Sequence, residues 1–456
     1  MRKLRLPNAE RAEQLLPRVL AATIVGFTFG SSSFLPLLYL GRLFRWPLFL
    51  VLAFLAFRWV AARAPRPRLP LLLTVFAGAL VFLALVSFGW TVRPILTFGR
   101  SVSLGILFAT AAALSIGSVG RPGVAHRLLQ AMLAAAVVVS ALGLLLLAGD
   151  RSAAVQPASQ SYPARYRGVG ENPNTVPLLL AVVLPIALWL LAGARTRRAR
   201  LLLAGVVLVF VGSIAAAGAR GALAGALVGS VIVALTAPRG WARRTTAVGL
   251  AVAIAAGTVG LMAIPQAKNA SGGKHGSAAG RDAERVLPLD AEIGRGPLDR
   301  PRPPVHRSLL GSSGRGQAWR GAVNQAVDRP LLGYGFGTEA SVFTDRFYYF
   351  YSATPENTFL GAFLQLGALG LALFAALVLS VLSLAVRALR APPPGERELI
   401  AVTTAIFTGA IVMAVAQTYL LAVGNLATAP VWICGFLAAA ASARSRPSAV
   451  VQREQR

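Results

Sequence analysis

Apolar runs of about 18 or more residues recur along the chain, and short polar or basic segments separate them. Each run is long enough to cross a hydrocarbon core of roughly 30 Å as an α-helix. The alternating pattern that outer-membrane barrels need is absent, so the pattern predicts an all-α polytopic integral membrane protein. We predict about twelve spans, at residues 18–40, 45–62, 69–90, 95–117, 124–148, 174–193, 200–218, 220–237, 244–264, 357–386, 399–421 and 425–443.

One long hydrophilic segment interrupts this pattern, from about Gln266 to Asn357. Its first half, residues 268–304, is rich in Gly, Pro and charged residues, a composition that predicts disorder. Its second half has basic and apolar residues at helical spacing. This spacing predicts a short amphipathic helix over 312–328, with Ser312 or Ser313 as its N-cap, lying on the outer face of the membrane.

Charge supports the membrane interpretation. Only 13% of the 456 residues are charged and 56% are hydrophobic. The net charge of +29, from 45 basic and 16 acidic residues, is a balance that also occurs in proteins that bind nucleic acid. Most Lys and Arg residues, however, lie in short loops at helix ends, where they set membrane orientation. We therefore expect membrane lipids as partners and no nucleic acid.

The basic loops fall on alternate sides of the predicted spans, and the positive-inside rule makes the basic side cytoplasmic. Both termini are then cytoplasmic, with tails at 1–17 and 444–456. The spans occupy 18–264 and 357–443, and the loop 265–356 is extracytoplasmic. The pattern predicts a multi-pass protein of the cytoplasmic membrane.

The first and last spans carry three further features. Arg42 and Arg45, between the first two predicted spans, fall on the outer side. The N-terminus resembles a signal sequence but lacks a convincing cleavage site, so an uncleaved first helix is expected. Cys434 is the single cysteine and lies in the last span, which excludes an internal disulfide.

No cluster of Cys, His and Asp has metal-ligand spacing, so neither a metal nor a cofactor is expected.

Arg220 lies in a tight turn between two apolar runs, at the outer interface. A lone arginine at this place is commonly an anchor whose side chain reaches the interface. It is also suited to bind an anion, because the helix start adds free N–H groups and a guanidinium binds phosphate through two hydrogen bonds.

Asn172 and Asn174 open the sixth predicted span from the outer side. Asn174 is predicted to cap this helix, and Pro173 suits its first turn. Asn172 has no such structural role in the pattern, so it is a candidate ligand. Arg165 and Arg167 add positive charge to the same rim.

The second half of the long loop contains three more candidates. Arg315 and Trp319 are four residues apart and therefore share a helix face, and Arg320 follows them. The glycine string around Tyr334, residues 333–337, follows no strand of a βαβ unit, so a turn is favoured over a nucleotide-binding loop. Glu356, directly before the tenth predicted span, is either a helix N-terminal charge or a general base.

In order, these motifs resemble the O-antigen ligase and O-antigen polymerase family of bacterial envelope glycosyltransferases. The resemblance covers about residues 168–373. Its motifs are Gly170–Asn174, Ala219–Ala222, Gly314–Arg315 with Trp319, Pro330–Gly335, Glu356–Leu360 and Gln365–Gly370.

The resemblance implies a GT-C-like membrane fold and an inverting, metal-independent glycosyl transfer outside the cytoplasm. The donor would be a glycan linked to a polyprenyl diphosphate, and the acceptor would be a hydroxyl of a glycan or a lipid. The implied catalytic residues are Arg220 and Arg315, which fall where the family binds diphosphate, and Glu356. The implied substrate-binding residues are Asn172, Asn174, Trp319, Arg320, Tyr334 and Asn357.

The sequence departs from the family pattern at Glu356, where many members have a histidine before Asn357. A carboxyl group titrates at lower pH than imidazole and cannot become cationic. The sequence does not separate a ligase from a polymerase, or from a member that binds the carrier without catalysis. A secondary transporter or flippase is the alternative from another class, although such proteins usually have ionisable groups and helix breaks near the bilayer midplane.

Overall fold

The apolar runs form α-helices in the computed structural model, which describes residues 9–62, 69–157, 164–236, 249, 315–343 and 354–443. The described residues contain fourteen α-helices, one 3₁₀ turn at Ser87–Gly89, and two short antiparallel strands, β1 (Val155–Gln156) and β2 (Arg165–Tyr166). The helices are α1 (Ala9–Phe29), α2 (Leu35–Ala61), α3 (Leu71–Val86), α4 (Pro94–Ser118), α5 (Pro122–Gly149), α6 (Arg151–Ala154), α7 (Thr175–Gly193), α8 (Arg197–Ala216), α9 (Arg220–Thr236), α10 (Arg315–Val327), α11 (Glu339–Val342), α12 (Thr358–Arg390), α13 (Arg397–Ala414) and α14 (Thr428–Ala441).

Eight helical segments are long and apolar enough to cross a membrane, namely α2, α3 with the following 3₁₀ turn, α4, α5, α7, α8, α12 and α13. Helices α9 and α14 are apolar but shorter. The prediction of an all-α polytopic membrane protein is therefore confirmed, whereas the count of twelve is not. The predicted span 244–264 apart from residue 249, the segment 268–304 and the N-cap candidates Ser312 and Ser313 lie outside the described residues.

The predicted boundaries of the first hairpin were wrong. The turn between α1 and α2 lies at 30–34, not after residue 40, so Arg42 and Arg45 lie within α2 rather than between spans. The turn contains Gly30 and the serines at 31–33, a composition typical of a break, but the predicted span was extended through it because such small residues also occur inside membrane helices. The N–H of Glu171 donates to the carbonyl oxygen of Ser31 (2.6 Å), so this turn packs beside the segment before α7.

Glycines hold α9 against α13. A Cβ atom added at Gly225 would lie 2.3 Å from the side chain of Met413, and one added at Gly409 would lie 2.5 Å from the carbonyl oxygen of Gly225. Small residues allow helices in a membrane to approach closely and to gain van der Waals contact. This packing fixes α9, whose first residue is Arg220.

Helix α12 is broken at Gly367, whose backbone (φ 64°, ψ −164°) is not helical. A break leaves backbone groups unpaired, which costs several kcal/mol per group within a bilayer. Here the carbonyl oxygens of Leu364 and Gln365 accept hydrogen bonds from the N–H groups of Tyr334 (3.1 Å) and Gly335 (2.8 Å).

The same loop also pairs with the other side of the break. The N–H groups of Ala368 and Leu369 donate to the carbonyl oxygens of Pro330 (2.7 Å) and Leu331 (3.3 Å). Segment 330–335 therefore completes the hydrogen bonding of the broken helix. These two paired segments are two of the motifs that carry the family resemblance.

The glycine string forms the turn that the sequence predicted. Gly333, Gly335 and Gly337 have φ angles of 62°, 102° and 78°, which glycine adopts without the cost that a Cβ atom imposes. The N–H of Phe336 donates to Ser87 Oγ (3.0 Å), and Arg100 Nη1 donates to the carbonyl oxygen of Gly337. The turn is thus held between the 3₁₀ turn, α4 and α12.

We expect Gly367→Ala to destabilise the protein strongly. A Cβ atom at this position would lie 2.2 Å from the carbonyl carbon of Leu331, in a left-handed conformation. Strain and overlap together predict a loss of about 3 kcal/mol or more. The measurement is the thermal unfolding midpoint of the purified protein in detergent.

The matched control is Gly212→Ala in α8, where an added Cβ atom meets no atom within 4 Å. Its midpoint should stay the same or rise slightly, since alanine favours helix. Equal midpoints for the two variants would contradict the broken geometry of α12.

Candidate functional site

Arg220 follows a tightly held turn between α8 and α9. Gly218 adopts a φ of 59° in this turn, a left-handed conformation that suits glycine after a helix. The buried side chain of Arg165 donates from Nε to the carbonyl oxygen of Ala217 (2.6 Å) and from Nη2 to that of Gly218 (3.4 Å). A cation is favourable there because the last carbonyl groups of a helix carry partial negative charge. Arg165 therefore fixes the turn that positions Arg220.

Asn172 and Asn174 differ from their predicted roles. Asn174 Oδ1 accepts from Arg165 Nη2 (3.1 Å), so this side chain does not cap α7 as predicted but is tied to the turn before Arg220. Asn172 Oδ1 accepts from the N–H of Asn174 (2.9 Å), which gives Asn172 the structural role that the sequence did not reveal. Their use as substrate ligands stays a prediction.

The predicted helix in the long loop is present as α10. Its alanines Ala318, Ala322 and Ala326 are fully or almost fully buried and pack with Leu364 of α12, because small side chains allow a close approach. Arg315 and Trp319 lie on another face of α10, which is directed at the start of α12, because both side chains contact residues 355–356.

Glu356 forms an ion pair with α10. Arg315 Nη2 lies 2.5 Å from Glu356 Oε2, and the two side chains are 20% and 22% exposed. Trp319 Nε1 donates to the carbonyl oxygen of Pro355 (2.9 Å). Glu356 has a φ of 49°, the one positive φ of a non-glycine residue within the described ranges. Such a conformation costs of order 1–3 kcal/mol and persists where the surroundings hold it.

Asn357 begins α12 as its N-cap. Its Oδ1 accepts from the N–H groups of Phe359 (2.9 Å) and Leu360 (3.1 Å). Its own N–H donates to Thr418 Oγ1 (3.0 Å). Asn357 therefore joins the start of α12 to the chain that follows α13.

The chain after α13 brings Arg220 and Glu356 to one end of the bundle. A Cβ atom added at Gly221 would lie 3.3 Å from Ala416, two residues before the Thr418 that binds Asn357. The start of α9 and the start of α12 thus both contact segment 416–418.

Two positive charges lie close together at this end. The guanidinium groups of Arg220 and Arg315 are near enough for their positive charges to repel each other. Arg315 Nε is buried without a hydrogen-bond partner in the described part of the chain, which costs about 1–3 kcal/mol. An anion that bound both guanidinium groups would offset both costs. The structure therefore pairs Arg315 with Glu356 and places Arg220 near Arg315, and the catalytic roles of these three residues stay a prediction.

A cleft of about 510 Å³ lies between α10 and the start of α12. Its walls are mainly apolar, with Trp319, Phe359 and Leu360 among the lining residues, and Arg320 and Asn357 also line it. Three of the predicted substrate-binding residues, Trp319, Arg320 and Asn357, thus share one cleft. An aromatic and aliphatic wall with a few polar groups is typical of a ligand site.

Tyr334 lies apart from this cleft. Its hydroxyl donates to the carbonyl oxygen of Gln325 (3.2 Å), and the guanidinium of Arg329 lies 4.9 Å from its ring centroid. These contacts attach the glycine turn to the end of α10. Contact between Tyr334 and substrate stays a prediction.

Glu339, which the sequence analysis did not single out, is buried next to the site. It is 5% exposed, and its carboxyl oxygens accept from Thr418 Oγ1 (3.2 Å) and Gln365 Nε2 (3.1 Å). Burial raises the pKa of Glu339 to about 8, although the hydrogen bond from Thr418 and the charge of Arg100 lower it. In the sequence, nothing distinguishes it from the other acidic residues of the long loop.

Metal-ligating groups do not cluster in the part of the chain that the structure describes. No group of three or more His, Cys, Asp or Glu residues there could hold a metal ion.

Part of the chain matches a known family. Residues 206–375 match the model of a family described as O-antigen ligase. The matched range includes Arg220, Arg315, Glu356 and Asn357, whereas Asn172 and Asn174 precede it. A search of curated proteins finds no match. The family match supports an O-antigen ligase-like assignment and indicates O-antigen ligase-type activity in a membrane protein.

The raised pKa of Glu339 predicts a pH-dependent stability. The unfolded carboxyl loses its proton near 4.5 and the folded one near 8. The stabilising effect of the protonated form is therefore complete below 4.5 and is lost as pH rises to about 8. The expected slope is at most about 1.4 kcal/mol per pH unit, measured from unfolding midpoints in detergent.

Glu339→Gln is the control, because an amide does not titrate. The difference in midpoint between the wild type and this variant should shrink as pH rises through the window. A difference that does not change with pH would show that Glu339 is already ionised in the folded protein at low pH.

Proposed function

From the match of residues 206–375 to the O-antigen ligase family, we propose that this protein transfers a glycan from a polyprenyl diphosphate carrier to an acceptor hydroxyl. The observation that carries the proposal is the convergence of Arg220, Arg315 and Glu356 beside an apolar cleft. Two cations next to a carboxylate suit displacement at a sugar carbon that bears a diphosphate leaving group.

The donor diphosphate binds between Arg220 and Arg315. Guanidinium groups bind phosphate oxygens through paired, charge-assisted hydrogen bonds. The bond from the anomeric carbon to the diphosphate oxygen breaks during transfer, so negative charge grows on the leaving group. The two arginines stabilise this charge, so the reaction needs no metal ion.

Glu356 acts as the general base. The acceptor oxygen attacks the anomeric carbon, its proton passes to Glu356, and the carrier leaves as the diphosphate. A single displacement of this kind inverts the anomeric configuration. In the resting site Arg315 holds the carboxylate in an ion pair. Binding of the diphosphate to Arg315 competes with this ion pair, so donor binding releases the carboxylate to face the acceptor hydroxyl.

The reaction takes place on the outer face of the bacterial inner membrane, with both termini in the cytoplasm. The basic loops between the predicted spans support this orientation. Nucleotide-activated donors are scarce outside the cytoplasm, so the energy of the bond arrives with the lipid diphosphate. Trp319, Arg320 and Asn357 contact the glycan or the acceptor from the cleft.

Transport is the second candidate, and the break in α12 favours it, because transporters use broken helices to bind substrate. In α12, however, the carbonyl groups freed by the break already accept hydrogen bonds from segment 330–335. They are therefore not directed into an open cavity, and this favours transfer over transport.

The backbone at Glu356 bears on the departure from the family pattern. Histidine is several-fold enriched among non-glycine residues with positive φ, whereas glutamate is not. The backbone conformation at position 356 therefore suits the histidine that the resemblance leads us to expect, and Glu356 adopts the same conformation with strain. Replacement of histidine by glutamate at position 356 therefore does not require a different backbone conformation there.

We expect Glu356→Gln to lower the transfer rate by about 10²–10⁴-fold, because an amide cannot accept the proton. Glu356→His should keep a measurable fraction of the rate and shift the pH dependence upward, because imidazole titrates near pH 6.5. The measurement is glycan transfer from purified lipid-linked donor in proteoliposomes.

The protein level in the membrane serves as the control for both variants. Undiminished transfer by Glu356→Gln would remove Glu356 from the role of base. Longer glycans on the carrier would identify a polymerase, whereas a new glycoconjugate would identify a ligase.

The double variant Arg220→Ala, Arg315→Ala should lose binding of the lipid diphosphate as well as transfer. Loss of two charge-assisted pairs predicts at least about a hundredfold weaker binding. Binding is measured with the donor lipid in nanodiscs. The control is Arg151→Ala, an exposed arginine of α6. Flipping or uptake of donor that survives in the double variant would support transport instead.

A further inference from the structure

Hydrogen bonds connect the backbone next to Glu356, through Thr418, to Glu339, a residue that the proposed mechanism does not use. We propose that Glu339 is a positioning residue that acts through Thr418 to hold the strained backbone at Glu356 and so aims its carboxylate. This inference rests on the proposed function, because it takes Glu356 as the base.

The backbone is held on both sides of Glu356. On one side, Trp319 Nε1 donates to the carbonyl oxygen of Pro355 (2.9 Å). On the other side, the N–H of Asn357 donates to Thr418 Oγ1 (3.0 Å). A positive φ at a glutamate persists only where such contacts fix it. Loss of either contact allows the residue to relax to a more common conformation and to turn its side chain away.

Glu339 fixes the orientation of the Thr418 hydroxyl. A hydroxyl has one proton, and that of Thr418 donates to Glu339 Oε1 (3.2 Å). The oxygen lone pairs are therefore free to accept the N–H of Asn357. Without an acceptor at position 339, the hydroxyl proton would seek another partner and would weaken this contact.

Gln365 shows why a carboxyl group is needed. Its Oε1 accepts from the N–H of Gly337 (2.6 Å), which fixes the amide orientation, so its Nε2 donates to Glu339 Oε2 (3.1 Å). Two donors, from Thr418 and Gln365, thus point at the two oxygens of Glu339. A carboxyl group accepts both. An amide at position 339 would turn its oxygen to Gln365 Nε2, which only donates, and its NH₂ to Thr418, whose hydroxyl would then accept that NH₂ in competition with the N–H of Asn357.

Glu339 acts from outside the cleft. It is 5% exposed and does not line the cleft that contains Trp319 and Asn357. An added Cβ atom at Gly361 would lie 2.7 Å from Glu339 Oε1, so the carboxyl group packs directly on the second turn of α12. Its effect on the reaction therefore passes through the backbone.

The experiment measures full-length Glu339→Gln in proteoliposomes with lipid-linked donor. We expect kcat to fall about ten- to a hundredfold, since a small misplacement of a catalytic group has an effect of this size. KM for the donor should change less than about twofold, because Arg220 and Arg315 are untouched. Amide hydrogen exchange at Asn357 should become faster.

A swapped pair separates positioning from general stability. In Glu339→Gln with Gln365→Glu, the new carboxylate accepts from Gly337 and from the amide of residue 339, and the amide oxygen accepts from Thr418. We expect this double variant to recover kcat to within about threefold of the wild type. Thr418→Ser should keep the rate, and Thr418→Val should lose it to the extent that Glu339→Gln does.

Two results would overturn the positioning role. One is a wild-type kcat for Glu339→Gln, and the other is no recovery in a swapped pair that unfolds at the wild-type temperature. Glu356→Gln in the same assay tests the proposed function separately. If Glu356→Gln loses transfer while Glu339→Gln does not, only the positioning role is wrong. If neither variant loses transfer, Glu356 is not the base.

Discussion

The backbone pairing between segment 330–335 and the broken helix α12 is the interaction on which the site depends. It keeps hydrogen bonds complete at a place where the surrounding lipid offers none. It also determines where α10 lies, because α10 ends at Val327, only three residues before that segment. The same pairing thus sets the distance between α10, which bears Arg315, and the start of α12, next to Glu356. The position of the candidate site therefore depends on the break at Gly367, whose backbone groups pair with segment 330–335.

A second constraint is the rigidity of the other half of the site. The guanidinium groups of Arg220 and Arg315 repel each other, so flexible supports would let them separate. The glycine contacts between α9 and α13 fix Arg220 by close packing, and Arg165 fixes the turn before it. A site whose cations are already in position has little reorganisation to undergo when an anion arrives, which is the advantage of preorganised charge.

Much of this architecture was predictable from local sequence. Long apolar runs predicted most helix positions because a membrane span has a fixed length. The tight turn between two such runs predicted the position of Arg220, one of the two arginines of the candidate site. The first hairpin was misplaced because glycine and serine also occur inside membrane helices, so the turn at 30–34 was counted as part of the first span. The role of Asn174 was misjudged and Glu339 was missed for another reason. Their contacts with Arg165 and Thr418 follow no periodic spacing in the sequence. Periodicity reports which face of a helix is apolar, and it carries no information on such hydrogen bonds.

Four large apolar side chains are exposed on α10 and the segment after it, namely Val323, Val327, Leu331 and Leu332. We expect an amphipathic helix of this kind to lie at the boundary between lipid headgroups and acyl chains. The lipid-linked substrates of the proposed reaction would then reach the site by lateral diffusion within the bilayer. Their effective concentration is a number of molecules per unit area, so added inert lipid or detergent dilutes them even when the bulk volume is constant. Turnover then depends on surface density and on the fluidity of the membrane.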